Sequence, residues 1–295
     1  MKKSLIALAL VASPLFGWGE KGHLIVNEAA TFGTPNDLPP FFHKAYPRLT
    51  YLGPEPDRWY TGDFKSIGAA NFPEHFLNYE FVAHLQLPVS RYEFIDLLYT
   101  SGTLQRFGIR NSTPGFAPWR IAELSELLTV QWRLWRDSAP GPGRQQIEEN
   151  IIHIAGILGH YVGDTSNPHH TTIHYNGWVA ANPNGYRNDC DTHARFEHYF
   201  VTRAISLPDV LPYMRPPAMQ TEYFAAAMAH IREANSLLEE LYRIDRDGGF
   251  DSREGTPEAR AFAAQRLAAG ASMLRDLWWS TWRSSARPLR DWHTP

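Results

Sequence analysis

The stretch Q-Q-I-E-E-N-I-I-H-I-A-G-I-L-G-H-Y-V-G-D-T-S-N-P-H-H, residues 145–170, decides the fold class. Ile147, Ile151, Ile154, Ala155, Leu158 and Val162 recur at spacings of three and four, the period of a helix that buries one face. His160 and Asp164 stand four apart at the end of that helix, so an imidazole and a carboxylate project from one side. A loop containing Pro168 follows and returns a further imidazole, His170.

Working outward, the same period predicts helices over 22–31, 91–106, 119–137, 192–205, 219–243 and 257–285. No stretch shows sustained strand alternation with hairpin turns, so the expected class is all-α. The connections are rich in Pro and Gly, as at 33–40, 53–56, 140–143, 182–185 and 207–217. None reads as a long flexible linker and no internal repeat is present, so residues 18–295 are expected to form a single compact multi-helix domain. The last helix, with Leu267, Met273, Leu274, Leu277 and Trp278, reads as core rather than as a membrane-surface helix. Trp132, Trp135, Trp278, Trp279 and Trp282 follow helical spacing and read as core rather than as a base-stacking platform.

The 295 residues are 43% hydrophobic and 20% charged, ordinary for a folded chain and unlike a disordered one. Lys2 and Lys3 followed by the apolar run Leu5 to Phe16 predict a secretory signal peptide over 1–17, hence a secreted or periplasmic protein; an uncleaved anchor is the alternative. The run is too short to span a bilayer. Cys190 is the only cysteine, so no intramolecular disulfide is available despite the predicted export. Net charge is −3, and loss of Lys2 and Lys3 lowers it by two, a poor electrostatic footprint for gripping a polyanion.

Thirteen histidines matter more by placement than by number. His193 and Glu197 repeat the four-residue spacing of His160 and Asp164, with His170 between the two pairs. Neutral imidazoles and carboxylates at such spacings suit a borderline cation such as zinc, although a single pair of this kind is equally a surface contact. The neighbours have blander readings: His169 and His174 as supporting or loop residues, His153 as a hydrogen-bonded core histidine, Cys190 as a buried thiol. Asp189 and Asp191 read as caps of the helix that presents His193.

The segment H-Y-V-G-D-T-S-N-P-H-H, His160 to His170, resembles the zinc signature H-x-x-G-D…P-x-H of the phospholipase C and single-strand-specific nuclease superfamily of trinuclear zinc phosphodiesterases. H-A-R-F-E, His193 to Glu197, resembles the second metal motif of the phospholipase branch, which usually ends in Asp in the nuclease branch. W-G-E-K-G-H, Trp18 to His23, resembles the start of mature nuclease-type members. E-H-F around His75 and P-D-R-W around Asp57 are similar to the intervening ligands, with Asp63 a rival to Asp57. Residues 80–145 look longer than the corresponding stretch of either branch.

The resemblance implies three zinc ions in a cleft between helices. His75, His160, Asp164 and Asp57 would surround one, and His170, His193 and Glu197 a second. The amine and carbonyl of Trp18, with His23 and a shared Asp164, would hold the third. Asp57 would also orient or deprotonate the attacking water. The implied activity is phosphodiester hydrolysis, on a phospholipid or on single-stranded nucleic acid, with no stable protein partner. The alternative is a non-catalytic secreted protein whose zinc sites only stabilise the fold.

Overall fold

The computed structural model describes residues 18–60 and 63–287. The predicted leader, residues 1–17, lies outside them. Among the described residues the chain is all-α, with no strand. The helices are α1 (Gly19–Thr31), α2 (Pro40–Lys44), α3 (Tyr46–Leu52), α4 (Lys65–Asn71), α5 (Arg91–Thr100), α6 (Thr103–Phe107) and α7 (Ala117–Asp137). There follow α8 (Pro142–Asp164), α9 (Val201–Ala204), α10 (Leu207–Val210), α11 (Tyr223–Asn235), α12 (Leu238–Arg246) and α13 (Pro257–Ser284). None is long and apolar enough to cross a membrane.

Helix α8 is the axis of this arrangement. Pro142 near its start needs no hydrogen-bond acceptor there, and Gly141 at φ 149° turns the chain into it. Its C-terminal half is buried almost without interruption from Ile154 to Asp164, packed among α1, α3, α7 and α13. Close packing on so many sides requires small residues, and Gly156, Gly159 and Gly163 supply them. A Cβ at Gly156 would lie 2.4 Å from the Leu52 Cβ; at Gly159, 2.0 Å from the Asn27 Oδ1; at Gly163, 3.3 Å from the His23 Nδ1. Asn27 then bridges three helices, its amide donating to the Leu49 carbonyl (2.7 Å) and the Gly156 carbonyl (2.9 Å). The sequence reading took only the apolar stripe of this helix. The glycine face is what lets α1 approach.

The core behaves as its apolar spacing predicts. Trp132 and Trp278 are fully buried, Trp282 nearly so, and Trp135 and Trp279 pack against the same cluster. A second apolar cluster gathers Leu77, Val82, Phe94, Leu98, Phe116 and Trp119 under α5 and α6.

Four expectations change. The single helix expected over 91–106 breaks at Gly102, whose left-handed φ of 73° separates α5 from α6. The helix expected over 219–243 starts later and is interrupted at 236–237, giving α11 and α12. His153 is exposed rather than buried, because its face of α8 is in solvent at Glu149 and Asn150 and enters the core only at Ile157 and His160. Cys190 is also exposed, in a left-handed turn at φ 60°.

Gly159→Ala should destabilise the protein by about 2 kcal/mol, since both N–H groups of the Asn27 amide are hydrogen-bonded and hold its Oδ1 against Gly159. Urea unfolding of the two proteins measures it; an unchanged midpoint would show that α1 and α8 are not held as close as described.

Candidate metal centre

Five segments converge on the C-terminal end of α8. Helix α1 brings His23; a short 3-10 turn, Glu55–Trp59, brings Asp57; another, Phe72–His75, brings His75. Helix α8 itself contributes His160 and Asp164, and the 3-10 turn Pro168–Thr171 contributes His170. His193 and Glu197 come from the last, where residues 194–200 widen from α- to π-helical winding. Such widenings recur at functional sites because they re-aim side chains without ending the helix.

All eight of these side chains are buried. Asp164 lies at the centre: His75 Nδ1 is 2.9 Å from its Oδ2, His160 Nε2 3.3 Å from the same oxygen, and His23 Nε2 3.3 Å from its Oδ1. His75 Nδ1 and His160 Nε2 are 3.0 Å apart, and Asp57 Oδ1 is 3.5 Å from His160 Nε2. In the neighbouring group, His193 Nε2 lies 2.7 Å from Glu197 Oε1 and 3.1 Å from His170 Nε2, while His170 Nε2 is 3.4 Å from Glu197 Oε2. The donors therefore form three sets: His23, His160 and Asp164; Asp57, His75 and His160; His170, His193 and Glu197.

These sets fit zinc on two independent grounds. Ligand atoms about 2.0–2.1 Å from a tetrahedral cation stand about 3.3 Å from one another, and the observed separations cluster around that edge length. Secondly, hydrogen bonds fix which imidazole nitrogen is free. The His160 Nδ1–H donates to the Gly53 carbonyl (2.9 Å) and the His170 Nδ1–H to the His75 carbonyl (2.9 Å), so Nε2 is in each case the nitrogen aimed inward, a ligand once it gives up any proton it carries. Both nitrogens of His23, the Asp57 Oδ1 and the Asp164 Oδ1 are buried without a hydrogen-bond partner, an expensive state unless a cation satisfies them.

The surroundings hold this geometry. The Leu77 N–H donates to the His170 carbonyl (2.9 Å), which with the His170–His75 bond stitches the two ligand turns together. Glu74, beside His75, is clamped between Arg91 and Arg120. The Asn167 amide donates to Glu197 Oε2 (2.8 Å), and its carbonyl oxygen accepts from the His169 N–H (3.1 Å). Trp18 is fully buried, its indole N–H donating to the Gly163 carbonyl (2.6 Å), which seats the start of α1 beside the cluster.

Charge follows from the same contacts. Burial opposes ionisation of Asp164, but His160 and His170 overcome it and hold the carboxyl well below the usual range. Glu197 is likewise opposed by burial and lowered by His193 and His170. Burial, with His160 adding to it, lowers His23, and burial lowers His75, which keeps both imidazoles neutral and ready as ligands. His170 is also opposed by burial, yet Asp164 and Glu197 raise it to about 9.

A cavity of about 220 Å³ opens onto His75, His170 and His193, walled by Tyr60, Phe72, Phe76, Phe81, Ile173 and Tyr175, with Arg110 among its lining residues. A second, of about 380 Å³, is lined by Asp57, Tyr60, Arg58, Glu20 and His198.

Each residue singled out from the sequence can now be placed. His23, Asp57, His75, His160, Asp164, His170, His193 and Glu197 are brought together, and Trp18 adjoins them through its side chain. Asp57 belongs to the cluster, whereas Asp63 is exposed. His169 is buried with neither ring nitrogen hydrogen-bonded, so it supports no ligand by a side-chain bond; it lies against His193 and lines the cavity. His174 stays in its loop, stacked on Trp178. Asp189 and Asp191 do not cap the His193 helix; their carboxylates pair with Arg195, which also reaches buried Asp245. Sequence reasoning missed Asn167 and Tyr60. Asn167 sat inside the quoted motif, and Tyr60 lies three residues beyond Asp57.

No family model and no curated protein matches the chain. Among solved structures it is similar to the alpha toxin of Clostridium absonum, at 13% identity and a TM-score of 0.46, over 92% of this chain and 67% of that one. It is similar also to the alpha-toxin of an avian strain of Clostridium perfringens, at 12% identity and 0.47, over 90% of this chain and 64% of that one. Likenesses this distant assign nothing to the present site, whose own geometry carries its reading.

Two outcomes are expected. Because His170 keeps its proton up to a pH of about 9 before a cation binds, zinc uptake at neutral pH must release it. Affinity at that set should therefore rise about tenfold per pH unit up to about pH 9 and then level off. Calorimetry in buffers of different ionisation enthalpy counts the released proton. Asn167→Ala should weaken zinc at the same set by about 10- to 100-fold, seen by competition with a chromogenic chelator.

Proposed function

We propose that the chain is a zinc-dependent hydrolase of phosphate diesters, with the working domain at residues 18–295 and residues 1–17 a leader removed on export to the periplasm or the medium. The observation that carries this reading is the sharing of buried Asp164 among four imidazoles, with the Nε2 atoms of His160 and His170 aimed inward by Nδ1 hydrogen bonds to Gly53 and His75. The H-x-x-G-D…P-x-H resemblance selects His160, Asp164 and His170 of the same set.

Three ions are proposed, two of them sharing Asp164. His75, His160, Asp57 and Asp164 would hold one; His170, His193 and Glu197 the second; His23, Asp164 and the amine and carbonyl of Trp18 the third. When bound, zinc supplies Lewis acidity, acidifying water toward neutral pH and offsetting negative charge on phosphoryl oxygens. The protein's own groups do the rest. Asp57 has a buried, unpartnered Oδ1 and lines the second cavity, so it can orient the attacking water and accept its proton. Tyr60 lines both cavities, and burial together with nearby Asp57 and Asp164 pushes its hydroxyl far up, so it remains a donor for an anionic oxygen. The aromatic wall of Phe72, Phe76 and Tyr175 receives a flat or apolar substituent of the substrate. That wall suits a lipid headgroup region or a nucleobase, and both substrate branches belong to the proposal.

A purely structural role for the metal is disfavoured by the cavity. Structural zinc sites are closed, whereas here His75, His170 and His193 all line an accessible space.

His170→Ala should lose about one equivalent of zinc and lower turnover of bis(p-nitrophenyl) phosphate by at least about 100-fold. Metal analysis and initial rates on one preparation check both; full zinc content together with full activity would sink the assignment.

A further inference from the structure

Among the described residues, Arg110 is the one lining residue of the 220 Å³ cavity, apart from histidines, that carries a formal charge, and no carboxylate lines that space. Arg58, Arg91, Arg120, Arg187 and Arg195 are each paired with a carboxylate. The guanidinium of Arg110, on an exposed residue at the cavity mouth, has no ion pair or hydrogen bond among the described residues.

Its backbone, by contrast, is held firmly. The Arg110 N–H donates to the Thr113 hydroxyl (3.2 Å) and the Thr113 N–H to the Arg110 carbonyl (3.0 Å), closing a turn that places Ser112 and Thr113 on the same cavity wall. That turn is sewn to the segment carrying His75. The Asn78 N–H donates to the Pro114 carbonyl (2.7 Å), the Asn78 amide to the Thr113 carbonyl (2.8 Å), and the Phe116 N–H to the Pro73 carbonyl (2.6 Å). Gly115, at φ 88°, permits this contact, since a Cβ there would lie 2.1 Å from the Phe76 carbonyl oxygen. An unpaired guanidinium on a fixed turn, facing the same cavity as the candidate ligands, is arranged to receive an anion.

We propose that Arg110, with the Ser112 and Thr113 hydroxyls, is a specificity-determining site for a second anionic group of the substrate, separate from the scissile phosphate. The preferred substrate is then a phosphodiester that carries a further phosphate, as in a nucleotide bearing a second phosphate or a phosphorylated polyol, rather than one with a cationic headgroup. This rests on the hydrolase reading above, and the test separates the two.

The experiment compares two matched pairs of p-nitrophenyl phosphodiesters on the zinc-loaded protein. One pair is thymidine 5′-(p-nitrophenyl phosphate) with and without a 3′-phosphate; the other is the glycerol ester with and without a terminal phosphate. The added phosphate should raise kcat/KM about tenfold, through KM, in at least one pair, which also identifies the source of the anion. In Arg110→Ala that preference should fall to near one, and Arg110→Lys should restore part of it. A preference as large in Arg110→Ala as in the parent overturns the proposal, as does no preference in the parent. If none of the four esters is turned over, the hydrolase reading fails. Arg110 is then decided by calorimetric binding of thymidine 3′,5′-bisphosphate, which should weaken about tenfold in Arg110→Ala; equal binding overturns the site. Matching thermal unfolding of parent and variants shows that both are folded.

Discussion

Everything near the candidate site depends on keeping the Asp164 carboxylate charged at zero solvent exposure. An ion of that kind is tolerated only when neighbours stabilise it; His23, His75, His160 and His170 surround it, and His160 and His170 do most to hold its charge. Four imidazoles can reach one carboxylate only if their backbones come close. The glycine face of α8 permits this for α1, and the two ligand turns are stitched to each other by their own hydrogen bonds. The fold is therefore a device for concentrating donors at the end of one helix. Stability and chemistry compete there, since each lone pair left unsatisfied costs folding free energy that a cation returns.

Much of this was legible in the linear chain. The three- and four-residue apolar spacing of 145–162 specifies a buried helix, and the spacing of His160 and Asp164 puts both on one side whatever packs around them. The long helices α7, α8 and α13 were found for this reason. Short helices such as α2 and α4 were not, because five to seven residues carry too little period to register. The breaks at Gly102 and at 236–237 were hidden within patterns that remain helical on either side.

The convergence of the candidate donors was legible in the sequence, and their supports were not. Imidazoles and carboxylates at fixed spacing announce themselves, but a hydrogen bond from Asn167 to Glu197, thirty residues away, has no local signature. The turn carrying Arg110 belongs to the region whose length matched neither branch. Only its contact with 73–78 reveals that it forms a wall of the cavity. His153, Cys190 and the pair Asp189 and Asp191 were misjudged for one shared reason. Burial and pairing at those positions depend on how deeply a segment enters the core, which spacing alone does not encode.

The left-handed turn at Cys190 has a practical side. The chain holds one sulfhydryl, it faces solvent, and it stands three positions before His193. A fluorophore or spin label attached there would mark every molecule once and in the same place, on the segment that leads into His193. The protein thus comes with a built-in attachment point from which the proposed uptake of a cation can be watched without altering any residue of the candidate centre.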